Sequence, residues 1–251
     1  MSLLEVKEIK KINDGNTDIK NISFHIEEKG ICGFLCKNGS TNSLLAKILV
    51  GACETDEGHI FYKGKELYAN EIQTVEIKKK IGFVASNCIF DNDVTVFEAL
   101  DMVGRAKMIE PDKRYRQIKE ALELTGMALR TEALVGELLS TEKKRLMIAS
   151  SLLGNPEAII MDEPLRSFEK KQADEIKAII EMLGSKKVVL LFSTRPDEIE
   201  ELCSHVIILH DGAVAVSYKK ETLLNIIKEN ELGSLSSVLD ALTEEKGESA
   251  Q

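Results

Sequence analysis

The sequence lacks an excess of positive charge. It carries 33 Lys and Arg against 42 Asp and Glu, which gives a formal net charge of −9. Surfaces that bind nucleic acids need clustered Lys and Arg to replace the counterions of the phosphates. The composition therefore argues against a nucleic-acid partner.

Long hydrophobic runs are also missing. The longest apolar stretches, such as residues 188–192 and 206–209, have the length of strands, whereas a membrane-spanning helix needs about 20 apolar residues. The first segment, MSLLEVKEIK, carries charges at short intervals and leaves no room for the apolar core of a signal peptide. We therefore expect a chain that stays in the cytoplasm and has no membrane span of its own.

Paired cysteines and clustered histidines are absent as well. The five cysteines include no CxxC pair, and the four histidines are scattered along the chain. This distribution is typical of reduced, mostly buried thiols. It predicts neither a disulfide framework nor a zinc site.

Strand and helix patterns alternate in the second half of the chain. Apolar runs at 158–161, 188–192 and 206–209 read as buried strands, and the segments 169–183 and 196–203 between them read as helices. Such alternation predicts an α/β fold with a mainly parallel sheet that is covered by helices.

The other segments predict three further parts of the molecule. Residues 3–9 and 19–26 flank a turn-rich NDGNT, which favours an antiparallel hairpin. Residues 95–137 are helical, with a break at Pro111, and do not alternate with strands, which indicates an inserted lobe. A helical tail follows at 221–242, and the final EEKGESAQ has the composition of a disordered end.

One stretch, GICGFLCKNGSTNSLLAKILVG at residues 30–51, combines a strand, a polar turn and a helix. This arrangement directs backbone N–H groups at a phosphate from a helix N-terminus. The P-loop formula G-x-x-x-x-G-K-[ST] fits its spacing. The fit places Cys36 at the first Gly, Thr41 at the second, Asn42 at the Lys and Ser43 at the hydroxyl position. The frame of a nucleotide site is therefore present without its most demanding residues.

Several blocks together resemble the nucleotide-binding subunit of ABC transporters, along nearly the whole chain. They are GFLCKNGSTNSLLAKILVG at the P-loop, IGFVASN at the Q-loop, DVTVFEAL at the start of the helical lobe, RLMIASSLLGNPEAIIMDEP across the signature helix and Walker B strand, and DEIEELCSHVIILHDGAV at the switch helix. The tail SLSSVLDALT is similar to that of the drug- and peptide-exporter branch.

The resemblance implies the domain organisation. It implies a P-loop NTPase core over residues 1–220, with an N-terminal antiparallel β subdomain. A helical lobe would be inserted at about residues 90–145 of this core. Residues 221–251 would form a C-terminal helical tail with a disordered end.

The resemblance also implies which residues would contact MgATP. Ser43 and Asp162 would hold Mg²⁺, with Ser86 at the Q-loop position, and Glu163 would orient or deprotonate the attacking water. Asn13, or Ile12 if the hairpin shifts by one residue, stands where the family carries a ring that stacks on adenine. The nucleotide-contacting positions are Asn13, Asn38, Gly39, Ser40, Thr41, Asn42, Ser43 and Leu44.

Most of the family's functional positions carry other residue types. Asn42 replaces the P-loop Lys and removes a point charge from the phosphates. Cys36 and Thr41 carry side chains where glycine would let the backbone approach the phosphates closely. The other single replacements are Ser86 for the Q-loop Gln, Glu169 for the D-loop Asp and Arg195 for the switch His. In place of the LSGGQ signature the chain has LLSTE at 138–142, whose last three residues are Ser140, Thr141 and Glu142. A one-residue deletion would instead align Ser140 with the signature Ser.

These replacements predict weak nucleotide binding. A charge-assisted hydrogen bond contributes about 1.5–3 kcal/mol, and an aromatic stacking contact contributes about 0.5–1.5 kcal/mol. Losing both should weaken the binding of MgATP by roughly 2–4.5 kcal/mol. Phosphoryl transfer depends on positioned cations, so hydrolysis at this chain's own site should be absent or strongly impaired.

Three functions are compatible with this pattern. The first is a degenerate, non-hydrolytic or weakly ATP-binding subunit of a membrane transport complex. The second is an active ATPase that energises export, in which Lys37 and Arg195 supply replacement cations. The third is a soluble interaction module that kept the fold and serves no transporter.

The resemblance implies two kinds of partner. The family's sites form between two subunits, each of which pairs its P-loop with the other's signature. A second nucleotide-binding subunit is therefore expected, in a hetero- rather than a homodimer, because a homodimer would contain two doubly defective sites. A membrane-spanning permease subunit would dock near residues 86–100 and hold the chain at the inner face of the cell membrane.

Overall fold

The computed structural model describes residues 2–13, 16–27, 29–229 and 233–244. Within these ranges the chain forms strands and helices in close succession. The strands are β1 (Leu4–Asn13), β2 (Asn16–Ile26), β3 (Gly30–Leu35), β4 (Glu57–Tyr62), β5 (Lys65–Glu66), β6 (Ile81–Val84), β7 (Ala158–Asp162), β8 (Val188–Ser193), β9 (His205–His210) and β10 (Ala213–Lys219). The helices are α1 (Gly39–Leu49), α2 (Glu71–Lys79), α3 (Val96–Ala106), α4 (Pro111–Leu124), α5 (Ser140–Leu152), α6 (Lys170–Gly184), α7 (Pro196–Leu202), α8 (Lys220–Glu229) and α9 (Leu235–Glu244).

The strands of the described ranges form one mixed sheet in the order β5-β4-β1-β2-β10-β9-β3-β8-β7-β6. The neighbours β9, β3, β8, β7 and β6 run parallel, as the alternation of strands and helices predicts. β1 pairs with β2 and with β4 in antiparallel register, and β10 pairs with β9 in the same way. The predicted α/β class and the antiparallel N-terminal part are confirmed.

The central strands are covered on both faces. Every residue of β8 is buried, since α1 packs on one face of the strand and α6 on the other. Phe34 on β3 stacks on Phe192 on β8, with ring centroids 4.4 Å apart. A strand with two covered faces needs a continuous apolar run, which explains why residues 188–192 contain no polar side chain.

A block of helices lies between β6 and β7, which are neighbours in the sheet. Helices α3, α4 and α5 share an apolar cluster in which Leu100, Ile118 and Leu146 are fully buried. A capping box between Thr95 and Glu98 begins α3. The limits of about 90–145 for an inserted lobe, and the boundary after residue 220, stay predictions.

The predicted break at Pro111 is confirmed, since α3 ends at Ala106 and α4 begins at Pro111, where the missing N–H of proline is tolerated. Two other helical segments differ from the sequence-based expectation. Helix α2 was not predicted, because it buries only Ile77 and so has almost no apolar periodicity. The predicted tail helix at 221–242 consists of α8 and α9, while residues 230–232 and 245–251, which include most of the predicted disordered end, lie outside the described part.

Two lysines, the half-buried Lys107 and the buried Lys144, join the helical block to β6 and the residues that follow it. Lys107, just after α3, donates from Nζ to the carbonyl oxygen of Ile81 at 3.3 Å, and Lys144 in α5 donates to that of Ser86 at 2.8 Å. Burial lowers the pKa of both ammonium groups to about 8. The helical block is therefore held at both ends of β6 by positive charges on carbonyl oxygens.

The cysteines carry free thiols, and the helices of the described ranges are short. All five cysteines are free thiols, and Cys32, Cys36 and Cys203 are buried. Across the described ranges, each helix is too short or too polar to cross a bilayer.

Candidate functional site

A cavity lies at the carboxyl end of β3, where the chain turns into α1. Asn38 caps this helix, and its Oδ1 accepts hydrogen bonds from the backbone N of Ser40 at 3.0 Å and from the Ser40 hydroxyl at 2.7 Å. A helix N-terminus carries a partial positive charge and favours anions. The cavity has a volume of about 520 Å³ and is lined by Lys37, Gly39, Ser40, Ser43, Glu163, Arg166 and Thr194.

Two of the predicted metal-binding residues meet beside this cavity: Ser43 lines it, and Asp162 is bonded to Ser43 without being a lining residue itself. The Ser43 hydroxyl donates to the carboxylate of Asp162, with distances of 2.8 and 3.0 Å to its two oxygens. Asp162 ends β7, and burial raises the pKa of its carboxyl despite the bond from Ser43. A hydroxyl and a carboxylate are the oxygen donors that Mg²⁺ prefers, so the pair fits the metal of MgATP. Ser86, the third predicted ligand, is not among the lining residues of the cavity.

Glu163 stands at the edge of the cavity in a strained backbone conformation. Its φ is +46°, in the left-handed region that residues other than glycine rarely adopt. Its Oε1 accepts a hydrogen bond from the backbone N of Thr194 at 2.9 Å, and its own backbone N donates to the carbonyl oxygen of Phe192 at 2.9 Å. Burial raises the pKa of its carboxyl, and the charge of Asp162 adds to this effect. Strain of this kind often marks functional positions.

The residue at the P-loop Lys position faces the core. Asn42 is fully buried, and its Nδ2 donates to the carbonyl oxygen of Ser193 at 3.0 Å. It is not among the lining residues of the cavity. Thr41 and Cys36, at the two glycine positions, are also buried, and burial raises the pKa of the Cys36 thiol. At these three positions the P-loop segment therefore packs its side chains inward instead of presenting them to a phosphate.

The two candidate replacement cations are engaged in ion pairs. The guanidinium of Arg195 lies 2.6 Å from Asp197 and 3.1 Å from Glu198, both in α7. Lys37 Nζ lies 2.6 Å from Asp240 in α9. Any phosphate in the cavity would have to compete with these carboxylates for the two side chains.

The segment at the signature position is capped by its own carboxylate. Glu142 accepts two hydrogen bonds from the Arg130 guanidinium at 2.8 and 3.0 Å and one from the backbone N of Leu139 at 2.9 Å. The hydrogen bonds from Arg130 hold the pKa of the Glu142 carboxyl below its usual range. Ser140 is exposed and Thr141 is half-buried. An anion from another subunit would therefore meet a helix N-terminus that Glu142 already occupies.

The remaining predicted residues lie outside the cavity or outside the described side chains. Leu44 packs against the apolar cluster on the sheet. Asn13 ends β1 opposite Asn16, and its side chain lies outside the part of the chain that the structure describes.

Sequence reasoning missed two lining residues, Arg166 and Thr194. Each stands close to a predicted position: Arg166 follows Asp162 and Glu163 by a few residues, and Thr194 directly precedes Arg195. Their positions after buried strands were the available signal, because the carboxyl ends of parallel strands meet at one edge of a sheet.

Comparisons with known proteins identify the family of the chain. A family model described as ABC transporter matches residues 19–166. The bacitracin transport ATP-binding protein BcrA of Bacillus licheniformis is 28% identical over 213 residues, which are 84% of this chain and 68% of that protein. The ribose import ATP-binding protein RbsA of Shouchella clausii is 29% identical over 222 residues, but the match spans only 43% of its length.

Solved structures show the same fold at lower identity. The ATP-binding subunit of an ABC transporter superimposes with a TM-score of 0.81 and 20% identity, covering 96% of this chain and 100% of that one. CbiO1 from Clostridium perfringens, part of the ABC transporter complex cbiONQ, gives a TM-score of 0.79 at 20% identity, covering 96% and 99% of the two chains. The chain therefore belongs to the ABC transporter family and has the fold of that family's ATP-binding subunits.

Proposed function

We propose that this chain is a degenerate ATP-binding-type subunit of a membrane transport complex, which binds MgATP weakly and does not hydrolyse it at an appreciable rate. The observation that carries the proposal is the position of Asn42. Its amide is buried and bonded to Ser193, so the P-loop supplies no charged side chain at the place where the family carries Lys.

Weak binding of MgATP is supported by the groups that remain. Ser43 and Asp162 would hold Mg²⁺, and the N-terminus of α1 would face the phosphates. When bound, MgATP would supply the metal and the phosphoryl group, while Glu163 is positioned by Thr194 to accept a hydrogen bond in the cavity. Without positioned cations such a carboxylate contributes little to phosphoryl transfer.

The charge at the signature position supports a structural or regulatory role. Glu142 is fixed by Arg130 at the N-terminus of α5, where it would oppose a phosphate from a partner subunit. With a consensus partner, one shared site would have this chain's altered P-loop and the other its altered signature. We propose a heterodimer in which this chain supports or limits the partner's ATPase activity.

A permease subunit completes the proposed complex. BcrA and RbsA carry transport and import in their names, and CbiO1 is described as part of a transporter complex. By analogy, the chain would sit at the cytoplasmic face of the membrane, bound to a membrane-spanning subunit near residues 86–100. Co-purification of a permease with the tagged chain would test this part of the proposal.

Isothermal titration of MgATP into the purified chain, together with a phosphate-release assay, tests the central claim. We expect affinity weaker than that of a consensus P-loop by about one and a half to three decades, and no phosphate release above background. In the purified complex, Glu163→Gln in this chain alone should leave the turnover number unchanged. A collapse of turnover in that variant would refute the proposal.

One observation favours a second candidate, an ATPase with substituted catalytic groups. Arg166 lines the cavity together with Glu163 and could serve as a cation for a phosphate. In that case Arg166→Gln would abolish phosphate release, whereas Arg116→Gln, which removes an exposed guanidinium from α4, would not.

A further inference from the structure

We propose that helix α9 lowers the affinity of the cavity for phosphate groups through the ion pair between Asp240 and Lys37. This inference rests on the proposed function, because it assumes that the cavity receives the phosphates of a nucleotide. It adds a regulatory element that lies in the C-terminal tail, outside the P-loop, Q-loop, signature, Walker B and switch segments.

Helix α9 is anchored on α7, the helix that follows Arg195. The backbone N of Leu235 donates to Oε1 of Glu200 in α7 at 2.9 Å. Leu235 and Leu239 are buried in the apolar cluster that includes Ile199 of α7. One face of α9 is thus held by burial of apolar side chains, which positions the rest of the helix.

The same helix reaches the turn that precedes α1. Asp240 Oδ1 lies 2.6 Å from Nζ of Lys37. Lys37 lines the cavity, and Arg166 is the other basic residue among the lining side chains. Helix α9 therefore bridges α7 and the P-loop, and it ties one of the cavity's basic side chains to a carboxylate.

The strength of this ion pair suits a reversible contact. The side chains of Lys37 and Asp240 are 46% and 55% exposed. Exposed pairs of this kind contribute little to stability, so a phosphate can displace Asp240 from Lys37. A carboxylate beside the cavity also repels an anionic ligand. Because coupling between two sites is reciprocal, a bound nucleotide should loosen α9 by the same factor by which α9 weakens nucleotide binding.

Titration of the full-length chain with MgATP, and separately with inorganic pyrophosphate, tests the contact. We expect Asp240→Asn to tighten the binding of both ligands by about two- to five-fold, the factor that an exposed ion pair can supply. Asp240→Lys should tighten binding further. Glu76→Gln is the matched control, since it removes the same charge from an exposed carboxylate that pairs with Lys79 on α2, away from the cavity.

A variant of Lys37 tests whether Asp240 acts through this side chain. In a Lys37→Met background, Asp240→Asn should tighten the binding of either ligand less than it does in the unaltered chain, because only the direct repulsion by the carboxylate is then removed. An equal gain in the two backgrounds would show that Asp240 does not act through Lys37. Hydrogen exchange gives an independent measurement. Without ligand, Lys37→Met should raise the exchange rates of the α9 amides above those of the unaltered chain. Saturation of the unaltered chain with MgATP should raise the same rates. Exchange rates of β8, in the core, should stay the same.

The outcomes separate this inference from the proposed function. Equal affinities of the unaltered chain and Asp240→Asn, or an equal gain in Glu76→Gln, would overturn the role of α9 and leave the proposed function intact. If neither the unaltered chain nor any Asp240 variant binds MgATP or pyrophosphate, the role of α9 is overturned as well. Phosphate release that Glu163→Gln abolishes would instead defeat the proposed function, while the binding series would still report on α9.

Discussion

Asn42 donates a hydrogen bond through Nδ2 to the carbonyl oxygen of Ser193 at 3.0 Å, and this bond joins α1 to the end of β8. Asn42 is fully buried, and its Oδ1 has no hydrogen-bond partner among the residues that the structure describes. The side chain at the P-loop Lys position thus contributes to packing between helix and sheet. The phosphate side of α1 is left without the charge that the family's pattern places there.

Restoring this charge should strengthen nucleotide binding. We expect Asn42→Lys to raise the affinity for MgATP by roughly 10- to 150-fold, because a charge-assisted hydrogen bond contributes about 1.5–3 kcal/mol. Isothermal titration measures the change. Asn42→Met, which has a similar length and no charge, is the control and should show no gain. Equal affinities of the Lys and Met variants would mean that the missing charge is not what limits binding.

The contact between Ser43 and Asp162 predicts a specific role for Mg²⁺. Asp162→Asn should remove the magnesium-dependent part of nucleotide binding, because the carboxylate is the charged oxygen donor at this position. Titrations with Mg²⁺ and with EDTA should then give the same affinity. Glu163→Gln, which alters the neighbouring carboxylate, should keep the difference between the two conditions. A magnesium effect of unchanged size in Asp162→Asn would place the metal elsewhere.

The packing of β6 against α5 predicts a large cost for one small substitution. A Cβ at Gly82 would lie 2.4 Å from the carbonyl oxygen of Ser151, which is backbone and cannot rotate away. We expect Gly82→Ala to lower the free energy of unfolding by about 1–3 kcal/mol or more, as overpacking of a core does. Urea unfolding measures this difference. At Gly39 a Cβ would be 3.4 Å from Thr194 Cγ2, so Gly39→Ala should be close to neutral and serves as the control.

Lys144 should make stability depend on pH in the alkaline range. Burial lowers its pKa to about 8, whereas the ordinary value of 10.5 applies to the unfolded chain. Between these two values the unfolded state binds more protons, so the contribution of Lys144 to stability rises with pH and is lost as the pH falls through 8. The rise amounts to at most about 3 kcal/mol.

The pH effect is isolated by comparing variants, since other groups titrate in the same range. The difference in unfolding free energy between the unaltered chain and Lys144→Met should change between pH 7 and pH 10, in favour of the unaltered chain at the higher pH. Lys228→Met, at an exposed position in α8, should show no such change. Parallel pH profiles for the unaltered chain and Lys144→Met would contradict the lowered pKa.

The fold could be predicted from local patterns. Apolar runs such as 188–192 and the helical segment 169–183 identify strands and helices within a few residues of β8 and α6. Helix α2 was missed because its polar sequence buries a single apolar residue, Ile77. The break at Pro111 was predictable, because proline is favoured in the first turn of a helix and α4 begins there.

The candidate site was predictable in part. The sequence alone determined the order of the elements and the family frame, and it placed Ser43 and Asp162 in corresponding motifs, because spacing along the chain is set by local periodicity. Only the tertiary structure decided that Lys37 pairs with Asp240, that Arg130 pairs with Glu142 and that Asn42 bonds to Ser193. Lys37 and Asn42 are each far from their partners in the chain. Even the pair of Arg130 and Glu142, which is closer in sequence, depends on how the residues between them fold. A side chain's partner is chosen by the packing of whole elements, which no local pattern specifies.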